Sequence, residues 1–321
     1  MAYERHLPCL KAGGFEIAAL GNNHICDYGA EGIATTRRIL DKMNIKYTGA
    51  GADAREAWEP AVCEVGGIRV GVVNFTEGHD RNAATADCFG TAGFDIDRAR
   101  ASIRSLRKSC DIVIVIPHCG IEYTAHPADY CFETYRALAA ERPDAIVAHH
   151  PHVPQGFEIR DGVPIFYSLG NFLFHMGTPL HYRRHGYMVE LEVAKDGLHG
   201  FRIHPYRVND DGLELLAGAP KQELLATLRR ISGDLAGPWS GYHALLKEHW
   251  YRGFPKWHIS QIIKALDTNP PYGAALLRNR LVAPQHTHLY LPMSERVVNG
   301  TIDDVPEAML EIEKEYATRQ F

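Results

Sequence analysis

Several features that define particular classes of protein are missing from this sequence. No apolar stretch approaches the roughly 18 to 20 residues needed to span a bilayer. Residues 1–6 lack the charged and apolar regions of a signal peptide. Basic residues are in deficit, with 34 Lys and Arg against 39 Asp and Glu and a net charge of −5. The charge disfavours nucleic acid and anionic membranes as partners. Together these absences predict a cytoplasmic protein as the chain stands, without a membrane anchor.

Paired cysteine motifs are also absent. The seven cysteines show no Cys-x-x-Cys spacing, and an odd number cannot all pair within the chain. We therefore expect reduced, partly buried packing residues and not a disulfide framework. Cys26 and Cys119 stand near the histidines described below, so a role as soft metal ligands is the alternative for these two.

The pattern of the chain predicts its fold class. The 321 residues are 45% hydrophobic, enough for one large core or two domains. Strands and helices alternate up to about residue 150, which is typical of βαβ units, and Asp-Gly turns at 161–162 and 196–197 then indicate antiparallel hairpins. We predict an α/β fold with a layered mixed sheet over 1–207, followed by a mainly helical extension of unknown role over 208–321.

Individual elements follow from apolar periodicity and turn signals. The strands predicted before the hairpins are 15–20, 45–48, 61–65, 68–75, 111–116 and 144–148. The predicted helices are 29–43, opened by Asp27 as its cap, and 95–109, 127–141, 220–232, 242–250, 257–267 and 303–318.

Five of the 18 histidines fall directly after predicted strands: His24, His118, His149, His150 and His152. If these strands are parallel neighbours, their carboxyl ends share one edge, where open α/β sheets bind ligands. Imidazole suits zinc, iron and manganese, and the nearby Asn23 adds an oxygen donor. A single histidine after a strand more often serves as a hydrogen-bonding residue, but three clusters together favour a divalent metal site.

Four segments stand in a recognisable order: NNHICDYG (22–29), HCGIEY (118–123), HHPHVPQGFE (149–158) and FYSLGNFLF (166–174). They resemble the successive motifs of the CapA family of poly-γ-glutamate capsule biosynthesis proteins, related to the calcineurin-like metallophosphoesterases. The resemblance covers about residues 8 to 205. It implies a layered α/β fold with one or two divalent ions (Mn, Zn, Fe or Mg) at the strand ends.

The resemblance also implies roles for single residues. Asn23, His118 and His150 resemble the ligands of one metal ion. His152 resembles a ligand of a neighbouring ion, and His24 resembles the catalytic residue that stabilises or protonates the leaving group. The other matched positions resemble sites of substrate contact or of structural support: Glu122, Tyr123, Gln155 and Asn171.

The superfamily pattern also includes aspartates ahead of these motifs, one of which bridges two metal ions. Residues 1–16 contain no aspartate. Three alternatives stay open: the chain belongs to a longer reading frame, it holds a single metal ion, or it has lost metal chemistry. Without the βα unit that carries these aspartates, apolar surface near 15–20 is expected to be uncovered unless the C-terminal residues cover it.

The main functional hypothesis is a metal-dependent hydrolase with a phosphoesterase-type site, linked to poly-γ-glutamate or capsule polymer metabolism. A bound dication would lower the pKa of its water, and His24 would act as the general acid. The alternative is a non-catalytic component that binds an anionic polymer in an assembly. The expected partner is thus a small-molecule or anionic-polymer substrate.

Three further segments carry weaker expectations. The loop 175–185 contains three histidines and two arginines, so Arg183 and Arg184 either clamp an anionic substrate or belong to a solvated loop. His79 with Asp80, and His126, are expected to be loop and helix-start residues.

Overall fold

The computed structural model describes residues 8–77, 82–174, 177–236 and 241–320. The strands are β1 (Ile17–Ala19), β2 (Lys46–Thr48), β3 (Ala50–Gly51), β4 (Ala61–Val65), β5 (Ile68–Thr76), β6 (Gly90–Thr91), β7 (Ile112–His118), β8 (Ala145–Val147), β9 (Phe157–Arg160), β10 (Val163–Phe166), β11 (His185–Ala194), β12 (Gly197–Asn209) and β13 (Gly212–Leu215). The helices are α1 (Pro8–Ala12), α2 (Gly29–Lys42), α3 (Ala54–Ala57), α4 (Ile96–Leu106), α5 (Asp129–Ala139), α6 (Gly218–Asp234), α7 (Gly241–Tyr251), α8 (Phe254–Thr268), α9 (Pro270–Val282), α10 (Pro284–Val298) and α11 (Glu307–Thr318).

The central sheet is mixed, and it confirms the predicted α/β class. Its order is β4-β5-β7-β8-β10-β9, with β5, β7, β8 and β10 parallel and the two edge strands antiparallel. β7 pairs on both sides with parallel strands, and its run of isoleucine and valine fits burial on both faces. The parallel strands β5, β7 and β8 therefore bring their carboxyl ends to one edge.

The strand predicted at 15–20 lies outside this sheet. β1 pairs in parallel with β2 in a separate two-stranded sheet, so it is not a direct neighbour of β7. Asn74 on β5 joins the two sheets: its Oδ1 accepts the Gly21 N–H at 2.5 Å, and its Nδ2 donates to the Ile116 carbonyl at 2.7 Å. The Asn74 side chain, and not pairing between β1 and β7, therefore holds the loop after β1 beside the end of β7.

Removing this amide is expected to destabilise the protein. Asn74→Ala would leave the Gly21 N–H and the Ile116 carbonyl without the buried partner they share, at a cost of about 3 kcal/mol in the free energy of unfolding. Urea unfolding checks this. The control Gln222→Ala removes an exposed amide from α6 and is expected to change stability by less than about 0.5 kcal/mol. Equal unfolding midpoints for the two variants would contradict the linking role of Asn74.

The second predicted hairpin forms a sheet of its own. β11, β12 and β13 make a three-stranded antiparallel sheet instead of extending the central one. Phe166 of β10 packs with Tyr187 of β11 and with Leu224 and Leu228 of α6, so one apolar cluster joins the two sheets and the first helix of the extension. This packing gives the layered arrangement that was expected.

The C-terminal part is helical, as predicted, but two of its helices were missed. Proline stands at the first turn of both α9 and α10, and the Asn269 side chain accepts the Tyr272 N–H to open α9. Proline is well tolerated at this position because backbone N–H groups in the first turn have no hydrogen-bond partner within the helix. The absence of any predicted helix between 267 and 303 was therefore wrong. The division into two domains near residue 208 stays a prediction. Among the described helices, none is both long and apolar enough to cross a membrane.

Candidate metal centre

The histidines lie at the carboxyl ends of two parallel strands. His118 is the last residue of β7, and His149, His150 and His152 follow β8. The ring centroids of His118 and His150 lie 4.9 Å apart, and those of His150 and His152 lie 6.0 Å apart. The structure therefore brings together three imidazoles from two segments at one edge of the sheet.

The loop after β1 adds Asn23 to this group. Asn23 Oδ1 lies 3.2 Å from His118 Nε2, although the two residues are 95 positions apart. The backbone carbonyl of Asn23 accepts a hydrogen bond from Asn82 Nδ2 at 3.1 Å, which fixes the loop. Asn23 and His118 are thus in contact, and their role as ligands of one ion stays a prediction.

A second grouping involves Glu122. Within the described residues, one set of three His, Cys, Asp or Glu donors could hold a metal ion: Glu122, His150 and His152, whose donor atoms all lie within 4.8 Å of one another. Two ligands at about 2.1 Å from an ion span at most about 4.2 Å, so binding needs only a small inward movement. Two imidazoles and a carboxylate are donors that divalent ions such as zinc, manganese and iron accept. These residues fit a divalent metal.

Burial keeps two of the histidines in the neutral form. Burial, reinforced by the rings of His150 and His149, holds the pKa of His118 well below its usual range. Burial also lowers the pKa of His149 to about 4. Because only the neutral ring offers a lone pair to a metal, His118 is preset as a ligand near neutral pH.

The backbone at this edge is strained. Six described residues other than glycine have positive φ, and three of them are Tyr123 (64°), His150 (108°) and His152 (61°). Such conformations cost of order 1 to 3 kcal/mol each and collect at functional sites. The Tyr123 N–H donates to the Pro151 carbonyl at 2.8 Å, and the Cys119 N–H donates to the His149 carbonyl at 3.0 Å. The two loops hold each other in the strained arrangement.

The ring of His152 is oriented by its neighbours. Asn171 Nδ2 donates to the Arg183 carbonyl at 2.9 Å, so Asn171 Oδ1 accepts from His152 Nδ1 at 2.7 Å. This assignment leaves His152 Nε2 as the ring atom with a free lone pair for a ligand role. The ring of Tyr123 stacks on His152 with centroids 5.7 Å apart. Asn171 and Tyr123 therefore both touch a candidate ligand directly.

Gln155 has a different environment. Its side chain is 1% exposed, and its Nε2 donates to the backbone carbonyls of Thr124 at 3.0 Å and His126 at 3.2 Å. These bonds brace the loop that carries Glu122 and Tyr123. Of the two roles that the motif left open for Gln155, the hydrogen bonds fit structural support.

His24 stands at the rim. Its side chain is 65% exposed, and its Nδ1 lies 2.9 Å from Asp27 Oδ2. The prediction that Asp27 caps α2 was wrong, because the cap position belongs to Tyr28 and no side chain caps this helix. Asp27 instead contacts the His24 ring, and a carboxylate at Nδ1 favours the tautomer in which Nδ1 donates.

Two residues near the histidines were not found from the sequence. Gln285, at the start of α10, places Oε1 3.2 Å from His150 Nε2, and no sequence signal marked it because α10 itself was missed. Glu77 follows β5, where it accepts the Gly120 N–H at 3.0 Å and the Tyr130 hydroxyl. Burial raises the pKa of Glu77 to about 8. Its position directly after a strand was the signal that could have drawn attention to it.

The remaining sequence expectations have mixed outcomes. His126 is fully buried and bonded to two carboxylates, so the prediction of a plain helix-start residue was incomplete. His79, Asp80 and His175 lie outside the described residues. All seven cysteines are free, and five of them are at least partly buried; Cys9 and Cys88 are exposed, so the expectation of packing residues was wrong for these two.

The fold and the site define an α/β protein with a histidine-rich candidate metal centre at the carboxyl ends of parallel strands. Residues 1–176 match the family model described as bacterial capsule synthesis protein PGA_cap, and the chain belongs to this family. The sequence is 32% identical over 203 residues to the PGA biosynthesis protein CapA of Bacillus subtilis, covering 63% of this chain and 53% of that protein. It is 33% identical over 181 residues to the capsule biosynthesis protein CapA of Bacillus anthracis, covering 55% and 44%. The family predicted from the four motifs is confirmed.

The chain spans about half the length of these two curated relatives. A probable polyglutamine synthesis accessory protein of Mycobacterium tuberculosis is 29% identical over 255 residues, which cover 72% of this chain and 67% of that protein. Solved structures similar to this chain include the NAD nucleotidase of Haemophilus influenzae, with a TM-score of 0.40, 16% identity and coverage of 70% and 48%. A putative 5'-nucleotidase of Staphylococcus aureus gives a TM-score of 0.41, 14% identity and coverage of 70% and 46%.

Proposed function

We propose that this protein is a metal-dependent hydrolase with a phosphoesterase-type centre, and that it acts on a capsule polymer of the poly-γ-glutamate type or on its precursor. The observation that carries the proposal is the convergence of Glu122, His150 and His152, with donor atoms within 4.8 Å of one another. His118 and Asn23 lie against the same group. Membership of the capsule synthesis family supports this substrate class.

The chain's own residues fit the steps of such a reaction. Glu122, His150 and His152 would hold a divalent ion, which would supply a water of lowered pKa and a positive charge against developing negative charge. His118 presents a neutral ring at the edge of the sheet, and His150 stands there on a strained backbone with a φ of 108°. Asn171 fixes the ring of His152, and Asp27 fixes the ring of His24 for proton transfer to a leaving group.

The proposal is tested by metal analysis and turnover of the purified protein. We expect at least one divalent ion per chain by inductively coupled plasma mass spectrometry. We also expect hydrolysis of a simple phosphodiester, such as bis-p-nitrophenyl phosphate, that stops on chelation and returns with manganese or zinc. A protein that binds no divalent ion after incubation with each candidate metal would refute the proposal.

The general-acid role of His24 makes a separate prediction. His24→Ala is expected to lower kcat by roughly 100-fold on a substrate with a poor leaving group, because the proton donor is lost. Asp27→Asn should give a smaller loss, since the ring stays but its tautomer is no longer fixed. With p-nitrophenolate, which leaves without protonation, both losses should shrink. Equal losses on both substrates would contradict the acid role.

A second candidate function is non-catalytic binding of an anionic polymer within an assembly. The similarity to the M. tuberculosis relative, a probable polyglutamine synthesis accessory protein, favours it. In this case poly-γ-glutamate would bind equally well after chelation and no ester would be turned over. Metal-dependent turnover of the phosphodiester would decide against it.

A further inference from the structure

Two helices of the C-terminal extension reach the histidine cluster. Gln285 on α10 contacts His150 at 3.2 Å. Arg280 on α9 is held against α10, because its guanidinium contacts the ring of His286, with Nη1 3.4 Å from Nδ1. Burial lowers the pKa of Arg280, and the nearby Glu122 carboxylate acts in the opposite direction. Arg280 therefore belongs to the part of the extension that reaches the histidine cluster, within range of the charge of Glu122.

A second arginine approaches the centre from the turn before β11. The Cζ atom of Arg183 lies 3.8 Å from the centroid of the Tyr123 ring, whose stacking partner is His152. The Arg183 carbonyl is fixed by Asn171 at 2.9 Å. Its neighbour Arg184 turns away and donates to the Val208 carbonyl at 3.2 Å. Of the two arginines considered from the sequence, Arg183 is thus the one beside the histidines.

Neither of these two arginines forms a close ion pair within the described residues, and the acidic side chain that acts on both is Glu122. Across the described ranges, Arg183 Nε is buried without a hydrogen-bond partner. Glu122 is also a candidate metal ligand. Half-buried cations without a directly paired carboxylate are costly. A ligand that brings its own negative charge would remove this cost.

We propose that Arg183 and Arg280 form a subsite for an oxyanion group of the substrate, a carboxylate or a phosphate, beside the histidine cluster. The guanidinium group suits this task because its fork of N–H donors matches two oxygens of one anion. The subsite deepens the proposed function and rests on it, since it gives the charge class of the substrate. It also gives the helical extension a role in binding, through Arg280.

The direct test measures anion binding to the full chain by isothermal titration calorimetry. The probes are inorganic phosphate and a γ-linked glutamate trimer, each with manganese-loaded and with chelated protein. Arg183→Gln and Arg280→Gln are each expected to weaken binding of at least one probe by about tenfold. The control Arg229→Gln removes an exposed arginine of α6 and should bind as the wild type does. The probe that depends on the arginines identifies the source of the oxyanion.

The outcomes separate this subsite from the proposed function. Unchanged affinity for both probes in both arginine variants, or no binding of either probe by the wild type, overturns the subsite; metal content and turnover then still test the hydrolase on their own. Arginine-dependent anion binding by a protein that takes up no metal supports the subsite and refutes the hydrolase.

A second measurement does not depend on the folding of any variant. Phenylglyoxal modifies accessible arginines of the wild-type protein, and peptide mass spectrometry locates the labels. The bound probe is expected to protect Arg183 and Arg280 but not Arg229. Equal labelling of all three with and without the probe would overturn the proposal.

Discussion

His150→Ala is expected to abolish metal binding and turnover together. His150 is 5% exposed and belongs to both donor groups, since its ring lies 4.9 Å from that of His118 and its donor atom is grouped with Glu122 and His152. Loss of even an outer partner of a metal ligand costs about 10- to 100-fold in affinity, so we expect a loss of at least about 100-fold here. Metal content after gel filtration and kcat/KM on the phosphodiester check this result.

The matched control is His199→Ala. His199 is an exposed histidine of the β11–β12 hairpin, bonded to Asp196 at 2.8 Å, and its removal should leave metal content and turnover unchanged. Unfolding temperatures separate a ligand effect from damage to the fold. Metal stabilises only a protein that binds it, so added metal should raise the unfolding temperature of the control and not of His150→Ala. A full complement of metal in His150→Ala would refute its role as a ligand.

Local pattern was sufficient to predict much of the fold. The alternation of apolar runs with turn residues located β4, β5 and β7, and the Asp-Gly turn at 161–162 located the hairpin of β9 and β10. These signals are encoded within a few residues. The pairing of β1 is not local, and it was missed because the buried amide of Asn74 replaces a strand contact.

In the candidate site, too, residues marked by local pattern were found, and residues placed by distant contacts were missed. His118 and the histidines after β8 could be found because strand ends are visible in the sequence. Gln285 could not be found, since it lies 135 positions from His150 and on α10, a helix that was not predicted. Arg280 was missed for the same reason. What the sequence did not reveal therefore lies in the docking of the C-terminal extension on the α/β layers.

His126 is central to this docking. It is fully buried, with Nδ1 2.7 Å from Glu313 of α11 and Nε2 2.9 Å from Asp234 of α6. Glu313 also accepts the backbone N–H groups of Ala125 at 3.0 Å and His126 at 2.9 Å. The two carboxylates of the extension thus bind the end of the loop that carries Glu122.

His126→Ala is expected to lower the free energy of unfolding by about 3 to 5 kcal/mol, because it leaves the buried Glu313 carboxylate without its cationic partner. The control His204→Ala removes a surface histidine paired with Glu190 at 2.7 Å and should cost at most about 1 kcal/mol. Urea unfolding at pH 6.5 compares the two variants. Equal losses would contradict a special role for the buried pair.

The same contact predicts how wild-type stability depends on pH. Burial acts to lower the pKa of His126, but Asp234 and Glu313 outweigh it and raise the pKa from 6.5 to about 9. The protonated ring therefore contributes stability, about 3 kcal/mol, that is fully present below pH 6.5 and lost as the pH rises through about 9. Wild-type unfolding free energy should fall over this range, while that of His126→Ala should change less, so the two curves converge at alkaline pH. Because α9 and α10 belong to the same extension, loss of this contact should also weaken the anion binding that depends on Arg280. Parallel pH curves for the two proteins would show that the charge on His126 does not hold the extension in place.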